Sequence, residues 1–390
     1  MSGRDLFCQP RRFGRGAALT LVFASVLVAG AATGSLPGDP GAGGRRASGA
    51  APSPVGRSED VTRAAEEAAA DGKSPMEAAE RAVSRSGDRW AAVYSEGEYE
   101  DFEESLDGRY TGVGLEARGD RDGRIEVTKV QPGSPAAVAG VRAGDRLRSV
   151  DGRSVAGLPV TDVVSLLRGD TKGATAGSSV RLGLERGTRA WTETLRRALL
   201  STDSVTVHRL SDDTTVITVA AFTKGVGDSV RSAVRRTPAG AGIVLDLRGN
   251  SGGLVTEAVS TASAFLDGGL VATYDVDGDQ RALHAEGGGD TTSPLVALVD
   301  GGTMSAAELL TGALQDRGRA VVVGSRTFGK GSVQMPSRLP DGSVAELTVG
   351  HYRTPSGHGV DGRGITPDLE ADDGALERAE TVLSGLGDVP

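Results

Sequence analysis

Two side chains in the second half of the sequence are typical of nucleophilic catalysis, and the first is Ser305. It follows the apolar run PLVALVD and precedes a helical pattern, so its hydroxyl is expected near the positive end of a helix dipole, beside unpaired N–H groups. Glu308, three residues later, completes a capping box. On local chemistry alone, a plain helix cap is therefore the favoured interpretation of Ser305.

The second is Lys330, one of only five lysines among 43 basic residues. It lies between two glycines, shortly after the apolar segment AVVVG. Burial there would lower its pKa from about 10.4 toward the range that suits a general base. Gln334, four residues on, would share its face in an extended strand and accept a hydrogen bond from the amine. The alternative is an exposed lysine in a hairpin.

A further candidate nucleophile, Ser251, lies in the glycine-rich segment 249–253 (GNSGG), between a strand pattern and a helix pattern. The segment matches G-x-S-x-G, the nucleophile elbow of α/β-hydrolases, for which His351 or His358 would have to serve as base. In another interpretation Gly252 and Gly253 present backbone N–H groups to an oxyanion, and the nucleophile lies elsewhere.

Composition excludes several classes of protein. The 390 residues carry a net charge of −9, which argues against a nucleic-acid-binding protein. The single cysteine, Cys8, cannot form an internal disulfide, and the four histidines show no metal-ligand spacing. We therefore expect catalysis without a metal or a cofactor.

The amino terminus has the pattern of an exported protein. A basic segment, residues 1–16, is expected in the cytoplasm and precedes an apolar segment, residues 17–36. The apolar segment is either a cleaved signal peptide or, as its length favours, a membrane anchor. Residues 37–58 are rich in Gly, Pro, Ala and Ser and predict a flexible linker. The remainder is expected outside the cytoplasm, anchored in the cell membrane or secreted.

Residues 111–200 resemble a PDZ domain. The motifs that carry the resemblance are Gly112-Val113-Gly114-Leu115, PGSPAAVAGVRAGD and SVDG. The resemblance implies a β-rich domain with two helices. It also implies that the backbone of Gly112, Val113, Gly114 and Leu115 binds the free carboxyl terminus of a peptide, which adds to the sheet as a strand.

Residues 246–368 resemble the carboxyl-terminal processing (tail-specific) serine peptidases. The matching motifs are DLRGNSGG, TMSAAELLTGALQDRGRAVVVG, TFGKGSVQ, YRTPSG and GRGITPD. The resemblance implies an α/β protease core of the crotonase-like, tail-specific protease fold with an inserted PDZ domain. The expected parts are a helical segment at 59–110, the core at 201–372 and a tail at 373–390.

The resemblance also assigns roles to individual residues. Ser305 corresponds to the nucleophile, Lys330 to the general base and Gln334 to the residue that orients it. Backbone N–H groups of the oxyanion hole fall on Gly252, Gly253 and Ala306. The sequence departs from the family pattern at Ser251, where Pro is usual, and at Thr303-Met304, where a small Ser-Ala pair is usual.

The function implied is an exported serine endopeptidase that recognises protein substrates by their free carboxyl-terminal tails. In the family the PDZ domain also tends to gate activity, and Arg168 is a candidate coupling residue. Whether the chain forms a homo-oligomer stays open. Two alternatives remain: a tail-binding pseudoprotease that uses only its PDZ domain, and an esterase-like hydrolase based on Ser251.

Overall fold

A computed structural model describes residues 54–120, 122–169, 175–276 and 279–387. The described chain divides into two compact units, one of residues 101–202 and one that combines residues 54–100 with 203–387. The basic segment 1–16, the apolar segment 17–36 and the linker as far as residue 53 lie outside the described residues. None of the helices described is long and apolar enough to cross a membrane.

The larger unit begins with two helices and a short strand. Helix α1 spans Pro54–Ala70, α2 spans Pro75–Ser86, β1 spans Ala92–Tyr94, and α3, Glu96–Leu106, leads into the smaller unit. Helix α1 starts inside the segment that composition predicts as linker. Helix α2 starts as its sequence predicts, because the Ser74 hydroxyl accepts the amide of Glu77 and proline follows the cap.

The smaller unit is built mainly of β-strands. In chain order its elements are β2 (Arg109–Gly112), β3 (Leu115–Gly119), β4 (Ile125–Val130), α4 (Pro135–Val138), β5 (Arg146–Val150), β6 (Arg153–Ser154), α5 (Val160–Arg168), β7 (Ser179–Arg186), β8 (Arg189–Arg196) and β9 (Ala198–Ser201). One sheet has the order β3-β4-β5-β7-β8, with β6 paired to β5, and β2 pairs separately with β9. Alternate side chains of β7, namely Val180, Leu182 and Leu184, are buried in the core.

The larger unit resumes after this insertion. Its elements are β10 (Val205–Ser211), β11 (Thr214–Val219), α6 (Val226–Arg236), β12 (Gly242–Asp246), α7 (Val255–Ala262), β13 (Leu270–Val276), β14 (Asp279–His284), β15 (Leu295–Val299), α8 (Ala306–Asp316), β16 (Val321–Gly324), β17 (Ser332–Arg338), β18 (Val344–Arg353), β19 (Leu369–Glu370) and α9 (Ala375–Gly387).

Two sheets organise this unit. The first has the order β10-β11-β12-β15-β16-β19 and is parallel except for the edge strand β10. Every residue of β12 and β15 is buried, as expected for strands covered on both faces. The second sheet is antiparallel, with the order β1-β18-β13-β14 and β17 paired to β18.

The segment before the insertion is part of the larger unit's core. Val61 and Ala65 of α1 and Ala79 of α2 pack with Ala345 and Leu347 of β18. Strand β1 then pairs with β18. The short connection between α2 and β1, which contains Trp90, is thereby fixed beside β17 and β18.

Candidate active site

Ser305 lies at the junction of β15 and α8, in a strained backbone conformation. Its φ of 56° and ψ of −118° make it one of only two non-glycine residues with positive φ in the described chain. Such a conformation costs about 1–3 kcal/mol and persists only where the surroundings enforce it. The Ser305 amide donates to Oε2 of Glu308 at 2.9 Å, so the predicted acidic partner of the cap is in place.

Glu308 does more than cap the helix. Its side chain is fully buried, and its carboxylate accepts four hydrogen bonds. Besides the Ser305 amide, the donors are the Thr327 hydroxyl at 2.5 Å and the amides of Gly329 at 2.7 Å and Lys330 at 2.8 Å. One carboxylate therefore holds the backbone of the candidate nucleophile and the backbone of the candidate base.

Tyr352 makes a second bridge between the same two residues. Its hydroxyl is shared between the carbonyl oxygens of Ser305, at 2.8 Å, and Lys330, at 3.0 Å. Burial raises the pKa of the Tyr352 hydroxyl, which keeps it a donor. The sequence contained Tyr352 only as part of a family motif, and no local pattern indicated this contact.

Lys330 is partly buried, and its amine lies beside an aromatic ring. Its Nζ lies 5.1 Å from the ring centre of Trp90, in the connection between α2 and β1. Burial lowers the pKa of the Lys330 amine, while the nearby carboxylates of Glu346 and Asp88 oppose that shift. The direction agrees with the expectation for a base that must be uncharged before it acts.

The glycine-rich segment 249–253 lies against Ser305. A Cβ added to Gly252 would come within 2.9 Å of Ser305 Cβ and 3.2 Å of the Ala306 nitrogen. The Gly252 amide itself donates to Oδ1 of the buried Asn250 at 2.8 Å. The other two predicted oxyanion donors, the amides of Gly253 and Ala306, donate no backbone hydrogen bond in the loops of the described residues. These two N–H groups are therefore the ones available to an oxyanion.

Replacing Gly253 with alanine is expected to impair both stability and catalysis. Its φ is 130°, and a Cβ would lie only 2.5 Å from the carbonyl oxygen of Phe222. We expect a loss of about 1–3 kcal/mol in the free energy of unfolding and at least about a tenfold lower kcat/KM, because the loop must shift away from Ser305. Thermal unfolding and peptide cleavage would measure the two effects.

Gly240→Ala is the matched control, since Gly240 also has positive φ but its added Cβ meets nothing within 4 Å. It should cost some stability and leave kcat/KM unchanged. Equal kinetic losses in both variants would contradict a role for the Gly253 loop in the site.

Gln334 is near Lys330 but makes a different contact from the one predicted. Its side-chain nitrogen donates to the backbone carbonyl of Trp90. Strand β17 begins only at Ser332, and its pairing with β18 shifts register between Val333 and Gln334. This irregularity breaks the simple alternation on which the prediction depended. A bond from Lys330 to the Gln334 amide oxygen stays a prediction.

In the described contacts, the two histidines that the Ser251 alternative could use face other groups, and that alternative stays a prediction. Nε2 of His351 faces a carboxylate oxygen of Asp361 at 3.8 Å, and Nδ1 of His358 lies 2.8 Å from the Ser356 hydroxyl. The nucleophile elbow would need one of these imidazoles as the base for Ser251.

In the smaller unit, the segment Gly112–Leu115 connects β2 to β3. Gly114 has a φ of 78°, and a Cβ there would come within 2.2 Å of Ser134 Cβ, so only glycine fits. The carbonyls of Val113 and Gly114 accept bonds from the segment 131–136, which fixes the loop. In the same unit, the Arg168 guanidinium lies 5.3 Å from the Tyr110 ring centre.

Comparisons with known proteins agree with these features. Residues 213–371 match the model of peptidase family S41, and residues 126–186 match the model of the PDZ domain. A probable CtpA-like serine protease of Staphylococcus haemolyticus is 33% identical over 315 residues, 77% of this chain and 60% of that protein. The carboxy-terminal processing protease CtpA of Bacillus subtilis is 30% identical over 290 residues, 73% of this chain and 61% of that protein.

The chain thus spans about three fifths of the length of these curated relatives. Among solved structures, the photosystem II D1 C-terminal processing protease is 31% identical, with a TM-score of 0.52, over 80% of this chain and 86% of that one. A putative S41 protease of Bacteroides fragilis, 18% identical with a TM-score of 0.51, shares the fold. On this evidence the chain belongs to peptidase family S41 and carries a PDZ domain.

Proposed function

We propose that this protein is an exported serine endopeptidase that captures the free carboxyl-terminal tail of a protein through its PDZ domain and cleaves with Ser305 and Lys330. The observation that carries the proposal is the double bridge between these residues. The Glu308 carboxylate accepts both of their amides, and the Tyr352 hydroxyl is shared between both of their carbonyls.

The proposed reaction uses Ser305 as the nucleophile and Lys330 as the general base. Uncharged Lys330 takes the proton of the Ser305 hydroxyl while the serine oxygen bonds to the scissile carbonyl carbon. The Gly253 and Ala306 N–H groups stabilise the resulting oxyanion. As the C–N bond breaks, the Lys330 ammonium returns the proton to the leaving amine. A water molecule then gives a proton to the same amine and bonds to the acyl carbon. As the bond from that carbon to the Ser305 oxygen breaks, the Lys330 ammonium returns the proton to the serine oxygen, which restores both residues.

The remaining parts of the proposal concern location and architecture. The basic and apolar segments 1–16 and 17–36 support export and membrane attachment. The parallel sheet with Ser305 at the carboxyl end of a central strand, β15, supports the crotonase-like description of the core. The packed helices α1 and α2 support a helical amino-terminal segment that belongs to the protease unit.

Tail recognition can be tested with one quenched fluorogenic peptide in two forms, with a free and with an amidated carboxyl end. Amidation removes a carboxylate whose charge-assisted hydrogen bonds are worth about 1.5–3 kcal/mol, so kcat/KM should fall about 10- to 100-fold, mainly through KM. As a matched control, an internal Glu→Gln change in the same peptide removes a charge away from the end and should have little effect. Equal cleavage of the free and amidated forms would refute tail capture.

The nucleophile can be identified independently by covalent labelling. A fluorophosphonate probe, followed by peptide mass spectrometry, is expected to modify Ser305 in the wild-type protein. Labelling of Ser251 instead would favour the esterase-like hydrolase, and a folded protein that binds tails but is neither labelled nor active would be the pseudoprotease.

A further inference from the structure

The aromatic residue Trp90 lies beside the amine of Lys330 and has no part in the reaction described above. Its ring centre lies 5.1 Å from Lys330 Nζ, which is within the range of a cation–π contact. The ring also packs against that of Phe328, with centroids 5.7 Å apart and planes inclined by 56°. Among the residues that the structure describes, the Lys330 amine therefore lies beside an aromatic ring and has no carboxylate at hydrogen-bond distance.

The backbone of Trp90 is held firmly in this position. Oδ1 of Asp88 accepts the amides of Trp90 at 3.0 Å and Ala91 at 3.2 Å, and the same carboxylate accepts the amide and hydroxyl of Thr348 on β18. The Trp90 carbonyl accepts the side chain of Gln334. Trp90 is thus tied through Gln334 to β17 and through Asp88 to β18, the two strands that follow Lys330 in the chain.

The indole N–H contributes nothing to this placement. Trp90 Nε1 is buried and has no hydrogen-bond partner among the described residues. A buried donor without an acceptor costs about 1–3 kcal/mol, and Trp usually avoids that cost. The ring is thus positioned by what its faces contact rather than by what its nitrogen binds.

We propose that Trp90 presents its indole face to Lys330 and stabilises the ammonium that forms when the amine takes the proton of Ser305. This inference rests on the proposed function, in which Lys330 is the base. An aromatic face attracts the charged form of the amine only. The charge develops during proton transfer, so the contact is stronger in the transition state than in the resting enzyme, which is the condition for faster catalysis.

Other charged and titratable groups act on the same amine or ring. Arg89 has its guanidinium 4.7 Å from the Trp90 ring centre and forms an ion pair with Asp361 at 3.4 Å. Asp88 and Glu346 act on the Lys330 amine, whereas Glu308 and Tyr352 bind the Lys330 backbone. Asp361 accepts the amide of the next residue, Gly331, and lies 3.8 Å from His351. A substitution at position 90 leaves these side chains in the protein but removes the ring from Arg89 as well as from Lys330, so a measurement that keeps the ring in place is also needed.

The test is the pH dependence of kcat/KM, whose acid limb reports the pKa of the free enzyme's base. Weakening the aromatic face destabilises the ammonium, so the pKa of Lys330 should fall and the acid limb should move to lower pH. For Trp90→Leu, which keeps an apolar side chain without a π face, we expect a shift of about half to one pH unit and about a 3- to 30-fold lower plateau. Trp90→Phe should restore part of both.

A second measurement leaves the side-chain shape nearly unchanged. The chain has two tryptophans, so in a Trp191→Phe background biosynthetic fluorotryptophan labels position 90 alone. Successive fluorination weakens the π face, and the acid limb should move to lower pH step by step from indole to trifluoroindole. This series remains informative if Trp90→Leu does not fold.

The outcomes separate this inference from the proposed function. If fluorination and Trp90→Leu lower the rate equally at all pH values with an unmoved acid limb, or have no effect, Trp90 is only structural and the inference is wrong while the Ser305–Lys330 mechanism stands. If a Lys330→Met protein still cleaves the peptide, the proposed function itself fails.

Discussion

A Ser305→Ala protein is expected to lose at least about 10⁴-fold in kcat/KM toward a tail-bearing peptide while it keeps its fold and its tail binding. The reason is that the oxygen that attacks the scissile carbonyl is removed, while the oxyanion donors and the PDZ domain remain. Alanine at position 305 has the same backbone strain as serine at a φ of 56°, so the thermal unfolding temperature should change little. Steady-state cleavage and peptide binding by the same preparation would measure both effects.

Three further variants sharpen this prediction. Ser251→Ala is the matched control, since it removes the other hydroxyl that the sequence offers as nucleophile and should retain turnover. Lys330→Met should be about as inactive as Ser305→Ala, and the double variant should be no worse than either, because a nucleophile and its base act as a unit. Additive losses, or an active Ser305→Ala protein, would rule out the proposed pair.

A Glu308→Gln protein is expected to lose about 100-fold in kcat/KM and about 2–4 kcal/mol in the free energy of unfolding. Glu308 accepts four hydrogen bonds, three of them from backbone amides. Whichever way the glutamine amide is turned, its NH₂ group faces at least one of those N–H groups. The segment that carries Ser305 and the segment 327–330 should then separate. As a result kcat should fall, while tail binding by the PDZ domain is kept.

Glu257→Gln provides the matched control for this carboxylate. Glu257 lies in the first turn of α7 and accepts the amides of Gly225 at 3.0 Å and Gly227 at 2.9 Å, without a contact to Ser305 or Lys330 in the described hydrogen bonds. It should lose stability but keep kcat within a few-fold. Comparable kinetic damage from both substitutions would mean that Glu308 acts through general stability rather than by placing the two loops.

Most of the hydrogen bonds described at this site fix the backbone of Ser305 and Lys330 rather than their side chains. The strained serine, the buried carboxylate and the shared tyrosine hydroxyl all act on main-chain atoms. In the described part of the chain, the Trp90 ring lies beside the amine, and the carboxylates of Glu346 and Asp88 oppose the lowering of its pKa. Rate and pH dependence are therefore expected to respond to different substitutions.

Local patterns in the sequence predicted part of the fold, and the family resemblance supplied the candidate reacting groups. The apolar run PLVALVD before Ser305 is typical of a buried strand, and the structure has it as β15, Leu295–Val299, with every residue buried. The Ser305–Glu308 cap was also predicted, because its partners are three residues apart and interact within one turn of helix. The family motifs then supplied the roles of Ser305 and Lys330.

Only the tertiary structure decided how those groups are brought together. Three of the four bonds to Glu308 come from residues 327–330, about 20 positions later in the chain. The Gln334 side chain binds the carbonyl of a residue 244 positions earlier. The irregularity between Val333 and Gln334 likewise depends on pairing with β18. Periodicity reports which face of an element is apolar, but it carries no information on which distant element covers that face, so Trp90 and Tyr352 could be found only from the folded chain.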